Sequence, residues 1–549
     1  MNDLVLKLRQ LLASTQSDAL LVNSTNEFLL EYNQLSTNAR YILTGFSGST
    51  GDALVTKDKI YLFVDGRYHE QADNEVDKNV VSVVKLQLGQ SYLKSLVGAV
   101  GENAKLLIVA SKNPYSFVNS LEEELKKYSS KVEYLGYDPV FEFADLPPAA
   151  DMCPEIVSVP IEITKYSSDE KYALVSDKMI ENDIYVVTSL EDVAYFTNKR
   201  SFCLPFSATY PAKLVIQKDK AILFTDFKIG FMGESFRTRK LADFDFYVAS
   251  HKNKNIYIDK KSISMQDYLL IDHSNEIHDS NLSTVKTVKN DAEIQHFKYA
   301  FSQTDKALNV ISEMINSEKI YSELDYYEAL QKSFFDNKAT ALSFKPIIAS
   351  GSNSSIVHYS DPSKNKLVQD GDFLLVDCGA YFDGGYATDI TRTFVKGNPS
   401  FEQKKVYTMV LKAFLNAYKN SYNIDSTYFE IDEIARDIIN KNKDEGFNFS
   451  HSTGHGVGIS VHESPPYIGP SDFSKTPILK KTVFTIEPGC YKENCGGVRL
   501  ENTVYVEDKT DRIKLNSFSK FKFEKKLVEY TMLNDDEKKW LEEWQEQSE

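Results

Sequence analysis

The chain has no apolar run approaching the roughly 20 residues a helix needs to cross a bilayer, and its opening stretch, MNDLVLKLRQ, lacks the long apolar core of a secretory signal. A soluble, cytoplasmic protein is expected. Cysteine is scarce: Cys153, Cys203, Cys378, Cys490 and Cys495 are an odd number without framework spacing, which fits free thiols in a reducing compartment. Cys490 and Cys495 share one loop but lack C-x-x-C spacing, so a redox or metal role for them is not indicated. Positive charge is also short. Lysine and arginine number 63 against 79 acidic residues, a net charge of −16, which disfavours a general nucleic-acid binder and attraction to an anionic membrane. Only two tryptophans occur, Trp540 and Trp544, one turn apart in the tail NDDEKKWLEEWQEQSE, where Asn534 and Glu537 have capping-box spacing. That helix docks on its own chain or forms a dimer contact.

At 549 residues the chain is too long for one domain and suggests three, at residues 1–150, 151–290 and 291–549. The first two resemble each other. DALLV from Asp18 parallels DIYVV from Asp183, and KDKIYLFVD from Lys57 parallels KDKAILFTD from Lys218, so each half reads as one α/β module. The KDK segments read as charged turns, each leading into a strand with one packed face. The boundary between modules falls in LPPAADMCPE, where Pro147, Pro148 and Pro154 argue against a continuing helix or central strand. VDGRY, with Arg67 and Tyr68, reads as a strand end followed by a helix start.

From about Asn290 long helices alternate with strands, twice over. Helices are expected near 291–316 and 322–337, then a loop with His358 and a hairpin. A second pair is expected near 402–420, with Val406, Met409, Val410, Ala413 and Ala417 on one stripe, and around Ile431, Ile434, Ala435 and Ile438, followed by a second loop and hairpin. Two passes of one plan predict a pseudo-twofold α+β domain.

The hairpins carry the chemistry. FLLVDCGAYFDGGYATDITRTF, residues 373–394, offers Asp377 and Asp389 about a turn, and closure on Asp383 would set the two carboxylates opposite each other on one face. Cys378 should then point to the other face. VFTIEPGCYKENCGGVRLENTVYV offers Glu487 and Glu501 about a second turn. Like charges so close need a cation or a proton. Of the nine histidines, His358 falls just before the first hairpin and His451, His455 and His462 between the two. Hard oxygen donors with an imidazole suit two divalent ions such as Mn²⁺ rather than a thiolate zinc site, and point to two-metal hydrolysis.

The blocks DCGAYFDGGYATDITRTF, SGSNSSIVHY, HSTGHGVG with VHE, TIEPGCY and GVRLEN resemble the signature blocks of the proline-specific pita-bread metallopeptidases, and LTGFSGSTGDALVTKD, VDGRY and SLEDVAYFTNKR resemble the leading modules of their long, three-domain aminopeptidase P (Xaa-Pro aminopeptidase) branch. The resemblance covers nearly the whole chain. It implies two creatinase/prolidase N-terminal-type modules before a pita-bread domain, the only one to carry metal. The implied ligands are Asp377, Asp389, His455, Glu487 and Glu501, with Asp389 and Glu501 bridging two ions. Glu487 is implied as general base, His358 and His462 as groups that bind substrate and stabilise the tetrahedral intermediate, and Arg499 and Tyr491 as residues that back the ligands or contact substrate. The implied reaction is hydrolysis of the amino-terminal Xaa-Pro bond by a hydroxide activated at the two metals, and the implied assembly is a homodimer.

The chain departs from the pattern in places. Asp377 and Asp389 are one residue further apart than usual, and Ser452 stands where glycine is common. A prolidase would share the metal site but usually has one leading module. Methionine aminopeptidase has neither, and non-catalytic pita-bread binding proteins typically lose the ligands.

Overall fold

The two repeated halves fold into six-stranded sheets of one design. In the first, the strands run in the order Val81–Lys85, Ile60–Val64, Asp52–Thr56, Ala19–Val22, Lys105–Val109, Lys131–Leu135; in the second, Phe236–Arg239, Ala221–Phe224, Lys213–Gln217, Asp183–Val187, Asn255–Ile258, Glu276–His278. In both, the third strand is antiparallel to its two neighbours and every other pair is parallel. The KDK segments are the hairpin turns, closed by Thr56 N–H to the Lys59 carbonyl and Gln217 N–H to the Lys220 carbonyl, both at 2.8 Å. A computed structural model describes residues 2–146, 155–279, 281–507 and 512–547; Pro147, Pro148, Pro154 and Cys153 lie outside the described residues.

The strand after the first KDK differs from expectation, because both of its faces are packed. Ile60, Leu62 and Val64 join a core with Leu8 and Leu12 of the first helix, while Phe63 joins Leu96, Val97, Leu121 and Leu125 on the opposite face. Helices cover both sides of a sheet with parallel strands, so alternation gives way to a nearly continuous apolar run. VDGRY is the turn from the strand ending at Val64 to the helix His69–Glu75, with Arg67 paired to Asp65 at 2.7 Å.

Contacts gather the chain into two units, Met1–Ser158 with Tyr166–Leu282, and Val159–Lys165 with Ser283–Glu549. In the second unit, the helices Asp291–Asn316 and Glu323–Asp336 precede a sheet of Ile347–Ser350, Phe373–Cys378 and Ile390–Val395. The helices Phe401–Lys419 and Tyr428–Asn442 then precede a sheet ordered Glu463–Ile468, Gly454–Gly456, Val483–Ile486, Asn502–Val506, Leu515–Ser517. All four helices open with reciprocal capping boxes, Asn290/Glu293, Ser322/Asp325, Ser400/Gln403 and Thr427/Glu430. Each satisfies otherwise orphaned backbone N–H groups and fixes where the helix starts.

The helix Phe401–Lys419 is buried well beyond its expected stripe, at Tyr407, Thr408, Leu411, Phe414, Leu415 and Tyr418 as well. The reason is the tail. The helix Asp535–Gln547 docks on it: the Trp544 ring lies 5.9 Å from Phe414 and 5.5 Å from Tyr418, and its indole N–H donates to the Phe521 carbonyl at 3.1 Å. Both arms of the Asn534/Glu537 capping box form, and Glu537 also accepts from Lys412 at 2.7 Å. Of the two readings of the tryptophan pair, docking on its own chain describes Trp544. Among the described residues no helix is long and apolar enough to cross a membrane.

Trp544→Ala is expected to cost about 3 kcal/mol in urea unfolding followed by Trp540 fluorescence, the price of a cavity beneath the tail. Lys419→Ala, which breaks the partly exposed pair with Glu543 and a long cation–π contact with Tyr418, should shift stability by less than about 0.5 kcal/mol.

Candidate metal centre

Asp377 lies on Phe373–Cys378, paired antiparallel to Ile390–Val395, but its partner is Thr391 rather than Asp389. The expected closure on Asp383 is therefore corrected to Gly384. The turn spans Phe382 to Gly385, where Gly385 donates to the Phe382 carbonyl at 2.7 Å and takes φ +63°. The even spacing keeps both aspartates on one face, as diagonal rather than direct neighbours. The second hairpin keeps its expected symmetry: Val483 pairs with Tyr505 and Gly489 with Arg499, which sets Glu487 across from Glu501. Asn494, at φ +61°, sits at its tip.

Two backbone approaches let the ligand-bearing strands meet. A Cβ on Gly379 would overlap the Thr388 carbonyl, and one on Gly454, beside His455, would overlap the Thr485 carbonyl. Ser452 is accommodated in this loop, and its carbonyl is the partner of His451 Nδ1 at 2.8 Å.

The carboxylates converge. Asp389, His455 and Glu501 each present a donor atom within 4.8 Å of the others, and His455 Nε2 lies 3.5 Å from both Asp389 Oδ2 and Glu487 Oε1. The His455 and His462 rings are 4.5 Å apart, nearly perpendicular. Arg499 donates to Asp377 Oδ2 at 2.6 Å and to the Tyr491 hydroxyl at 2.7 Å, and that hydroxyl meets His451 Nε2 at 2.9 Å. His358 is tied to this group through Val357, whose carbonyl accepts from Arg499 at 3.3 Å and whose side chain packs with Leu375 and Tyr491.

Two carboxyls feel the crowding most. Asp389 is held well above the usual carboxylate range by burial and then by the charges of Glu501, Asp377 and Glu487; Glu501 is raised by burial and by Glu487 and Asp377. At an effective dielectric near 20, two like charges about 4–5 Å apart repel by roughly 3–4 kcal/mol. Burial works against the Arg499 charge, yet Tyr491, Asp377 and Glu487 hold its pKa above the ordinary arginine value. One guanidinium does not balance four carboxylates. Asp377 Oδ1 is moreover buried without a hydrogen-bond partner. A buried acceptor with no donor, in a set of hard oxygens and imidazole, fits a divalent cation.

Some residues escaped the sequence reading. Thr391 donates to Glu501 Oε2 at 2.6 Å, and Thr485 accepts from the His455 N–H at 3.1 Å. Each sits two positions from a candidate ligand, so strand alternation alone would have placed them on the same face. Arg392 is buried, with its pKa pushed down to about 10 by burial, and donates to the Glu501 carbonyl at 2.7 Å and the Phe521 carbonyl at 2.6 Å. Burial raises the Cys378 thiol, followed by the charges of Asp377, Asp389 and Glu501, and pushes Cys490 up to about 12.

Residues 295–508 match Metallopeptidase family M24. That stretch holds both carboxylate hairpins and His455. Residues 5–142 and 147–293 each match a Creatinase/Prolidase N-terminal domain, so two such modules precede the M24 domain. Along its length the chain is similar to proteins named "Probable Xaa-Pro aminopeptidase P": one from Paracoccidioides brasiliensis is 28% identical over 98% of this chain and 94% of the relative, and one from Laccaria bicolor is 28% identical over 98% and 88%. In fold it is similar to the X-prolyl aminopeptidase of Caenorhabditis elegans, described as a cytosolic enzyme with a di-nuclear active site, with a TM-score of 0.91 at 24% identity over 99% of this chain and 95% of that one. An Xaa-Pro dipeptidase from Bacillus anthracis is 27% identical over 65% of this chain and 98% of its own, with a TM-score of 0.53.

Chelation should lower the thermal midpoint of this protein, and added Mn²⁺ should restore it, by about 2.7 kcal/mol at a hundred times the dissociation constant. The gain has a pH sign. Asp389 and Glu501 bind protons more tightly when folded than unfolded, so the metal-free fold loses stability as pH rises through their raised values. Metal stabilisation should therefore be larger at pH 8 than at pH 5.5; a midpoint indifferent to metal at both would remove the site.

Proposed function

We propose that this chain is a metal-dependent aminopeptidase that releases the first residue from peptides with proline in second place. In this reading residues 1–150 and 151–290 are the leading modules and 291–549 the catalytic domain. The observation that carries it is the convergence of four mutually repelling carboxylates and His455 in a cluster that suits a cation, in a chain that matches its Xaa-Pro aminopeptidase P relatives nearly end to end.

Asp377, Asp389, His455, Glu487 and Glu501 would hold two divalent ions, with Asp389 and Glu501 shared between them and Mn²⁺ as the metal we favour. When bound, such ions polarise a carbonyl and lower the pKa of water to about 7. Glu487 accepts a proton from the attacking water and returns it to the leaving proline nitrogen. His358 and His462 direct N–H groups at the carbonyl oxygen as it gains charge, where a donor contributes more than in the ground state. Arg499 orients Asp377 through its bond to Oδ2, Tyr491 is held between Arg499 and His451, and both border the substrate.

Proline explains the need for a dedicated enzyme. An Xaa-Pro bond is a tertiary amide without an N–H and with φ fixed, so it cannot be gripped as one strand of a hydrogen-bonded ladder. The free amine of the substrate would settle beside the carboxylates, limiting removal to one residue. The protein would act as a cytoplasmic homodimer.

Product analysis after stripping and restoring Mn²⁺ tests the reading, with an Xaa-Pro-Yaa tripeptide, an Xaa-Pro dipeptide and a Met-Ala-Yaa tripeptide in parallel. Release of Xaa from the proline tripeptide is expected, and Glu487→Ala should slow it by about 10²–10⁴-fold. Cleavage of the dipeptide alone would make the protein a prolidase, and no turnover with any metal would make it a binding protein.

A further inference from the structure

Glu323 is fully buried at the first turn of the helix Glu323–Asp336, yet the hydrogen bonds of its carboxylate go to uncharged donors of a single loop. Oε1 accepts from the Ser350 N–H at 2.7 Å, the Ser350 hydroxyl at 2.8 Å and Asn353 Nδ2 at 3.0 Å. Oε2 accepts from the Tyr359 hydroxyl at 2.8 Å and the Ser363 N–H at 3.4 Å. Asn353 Nδ2 also donates to the Tyr359 hydroxyl at 3.0 Å, which closes a ring of bonds. Burial and then the Glu323 charge raise the Tyr359 phenol, so it remains a donor.

A buried carboxylate survives only where donors replace its water. Here all of them come from residues 350–363, the segment that carries His358. The loop is thereby pinned on both sides of that histidine, at Tyr359 by Glu323 and at Val357 by Arg499. The Glu323 backbone is itself fixed by the Ser322/Asp325 capping box, and its N–H donates to the Lys366 carbonyl at 2.9 Å, where the chain leaves the loop.

We propose that Glu323 is a positioning residue for His358: its carboxylate holds the loop 350–363 so that the imidazole is presented to the substrate carbonyl oxygen. This rests on the aminopeptidase reading for what His358 does, and on geometry alone for what holds it. Glu323 touches neither substrate nor metal, so its removal should act on turnover through His358 and leave the carboxylate cluster loaded.

Substitutions at Glu323, His358 and Tyr359, read by kinetics, metal content and hydrogen exchange, test this. Glu323→Ala should lower kcat by about 10–100-fold, the range of a misplaced catalytic group, with KM changed less than about threefold and metal content as in the wild type. Against a His358→Ala background the same substitution should cost less than about threefold, because the group it positions is gone. Glu323→Gln, whose amide oxygen retains the three Oε1 contacts, should recover most of the loss. Tyr359→Phe, which leaves the carboxylate in place, should lower kcat in the same direction should the alanine variant fail to fold. In metal-free protein, hydrogen exchange at the Ser350 and Ser363 amides should quicken in Glu323→Ala while the hairpins stay protected.

Full multiplicative loss in the double variant, loss of metal, or unchanged exchange would overturn the assignment. Wild-type protein inactive on every Xaa-Pro peptide would overturn the aminopeptidase reading and the catalytic half of this one, while exchange would still decide whether Glu323 holds the loop.

Discussion

Repulsion among buried carboxylates is the constraint on which the second unit depends. Asp377, Asp389, Glu487 and Glu501 are brought together by two hairpins from distant parts of the chain, and burial removes the water that would screen them. Nothing in a strand's own propensity favours that. The arrangement is held by what surrounds it: Arg499 on Asp377, Thr391 on Glu501, and Arg392 on the Glu501 backbone. The Glu501 N–H also bonds the Thr391 carbonyl at 3.1 Å, so the two hairpins are stitched together where their charges oppose. The cost of the cluster is thus met by the fold until a cation meets it directly.

That stitching acts at the ends of paired strands, where the candidate ligands sit: Asp377 and His455 lie within Phe373–Cys378 and Gly454–Gly456, and Asp389, Glu487 and Glu501 directly flank strands. A carboxylate that is to hold a metal must be kept to a fraction of an ångström, which attachment to paired strands provides. The close approaches at Gly379 and Gly454 show how little room is left. Outside, four capped helices and the docked tail cover the sheets, and Trp544 closes the face of Phe401–Lys419 that the sheets leave open.

Much of this was legible in the sequence because it is local. Helix Asp291–Asn316 lies where the change to a long helical pattern put it, and the two leading sheets follow from a repeated strand and a repeated KDK turn. Even spacing put Asp377 and Asp389 on one face despite the wrong turn centre, since a shift of two residues preserves the face. What local pattern could not show was what packs from afar. The stripe on Phe401–Lys419 concealed a second buried face because its cover begins more than a hundred residues later. Nothing local sets Arg392 apart from other polar residues in strands, because its partners lie at Glu501 and Phe521. Nothing local sets Glu323 apart from other first-turn acids, and only the fold brings loop 350–363 onto it.

The two halves of the catalytic unit repeat one plan with different chemistry in the anchors. In the first, Glu323 gathers neutral donors around one buried charge. In the second, Asp432 on the helix Tyr428–Asn442 accepts from Thr453 at 2.6 Å and pairs with Arg436 at 2.7 Å, and Arg436 donates to the carbonyls of Phe449 and His451 at 3.2 and 2.9 Å. Each histidine loop is thus fastened to the second helix of its own pass, by a lone carboxylate in one case and by an ion pair in the other. The pseudo-symmetry is therefore one of architecture and not of bonding partners: neutral donors hold the His358 loop to its helix, and an ion pair holds the loop before His455 to its own. In the proposed reading the halves would likewise do unlike work, His358 serving the substrate and His455 the metals.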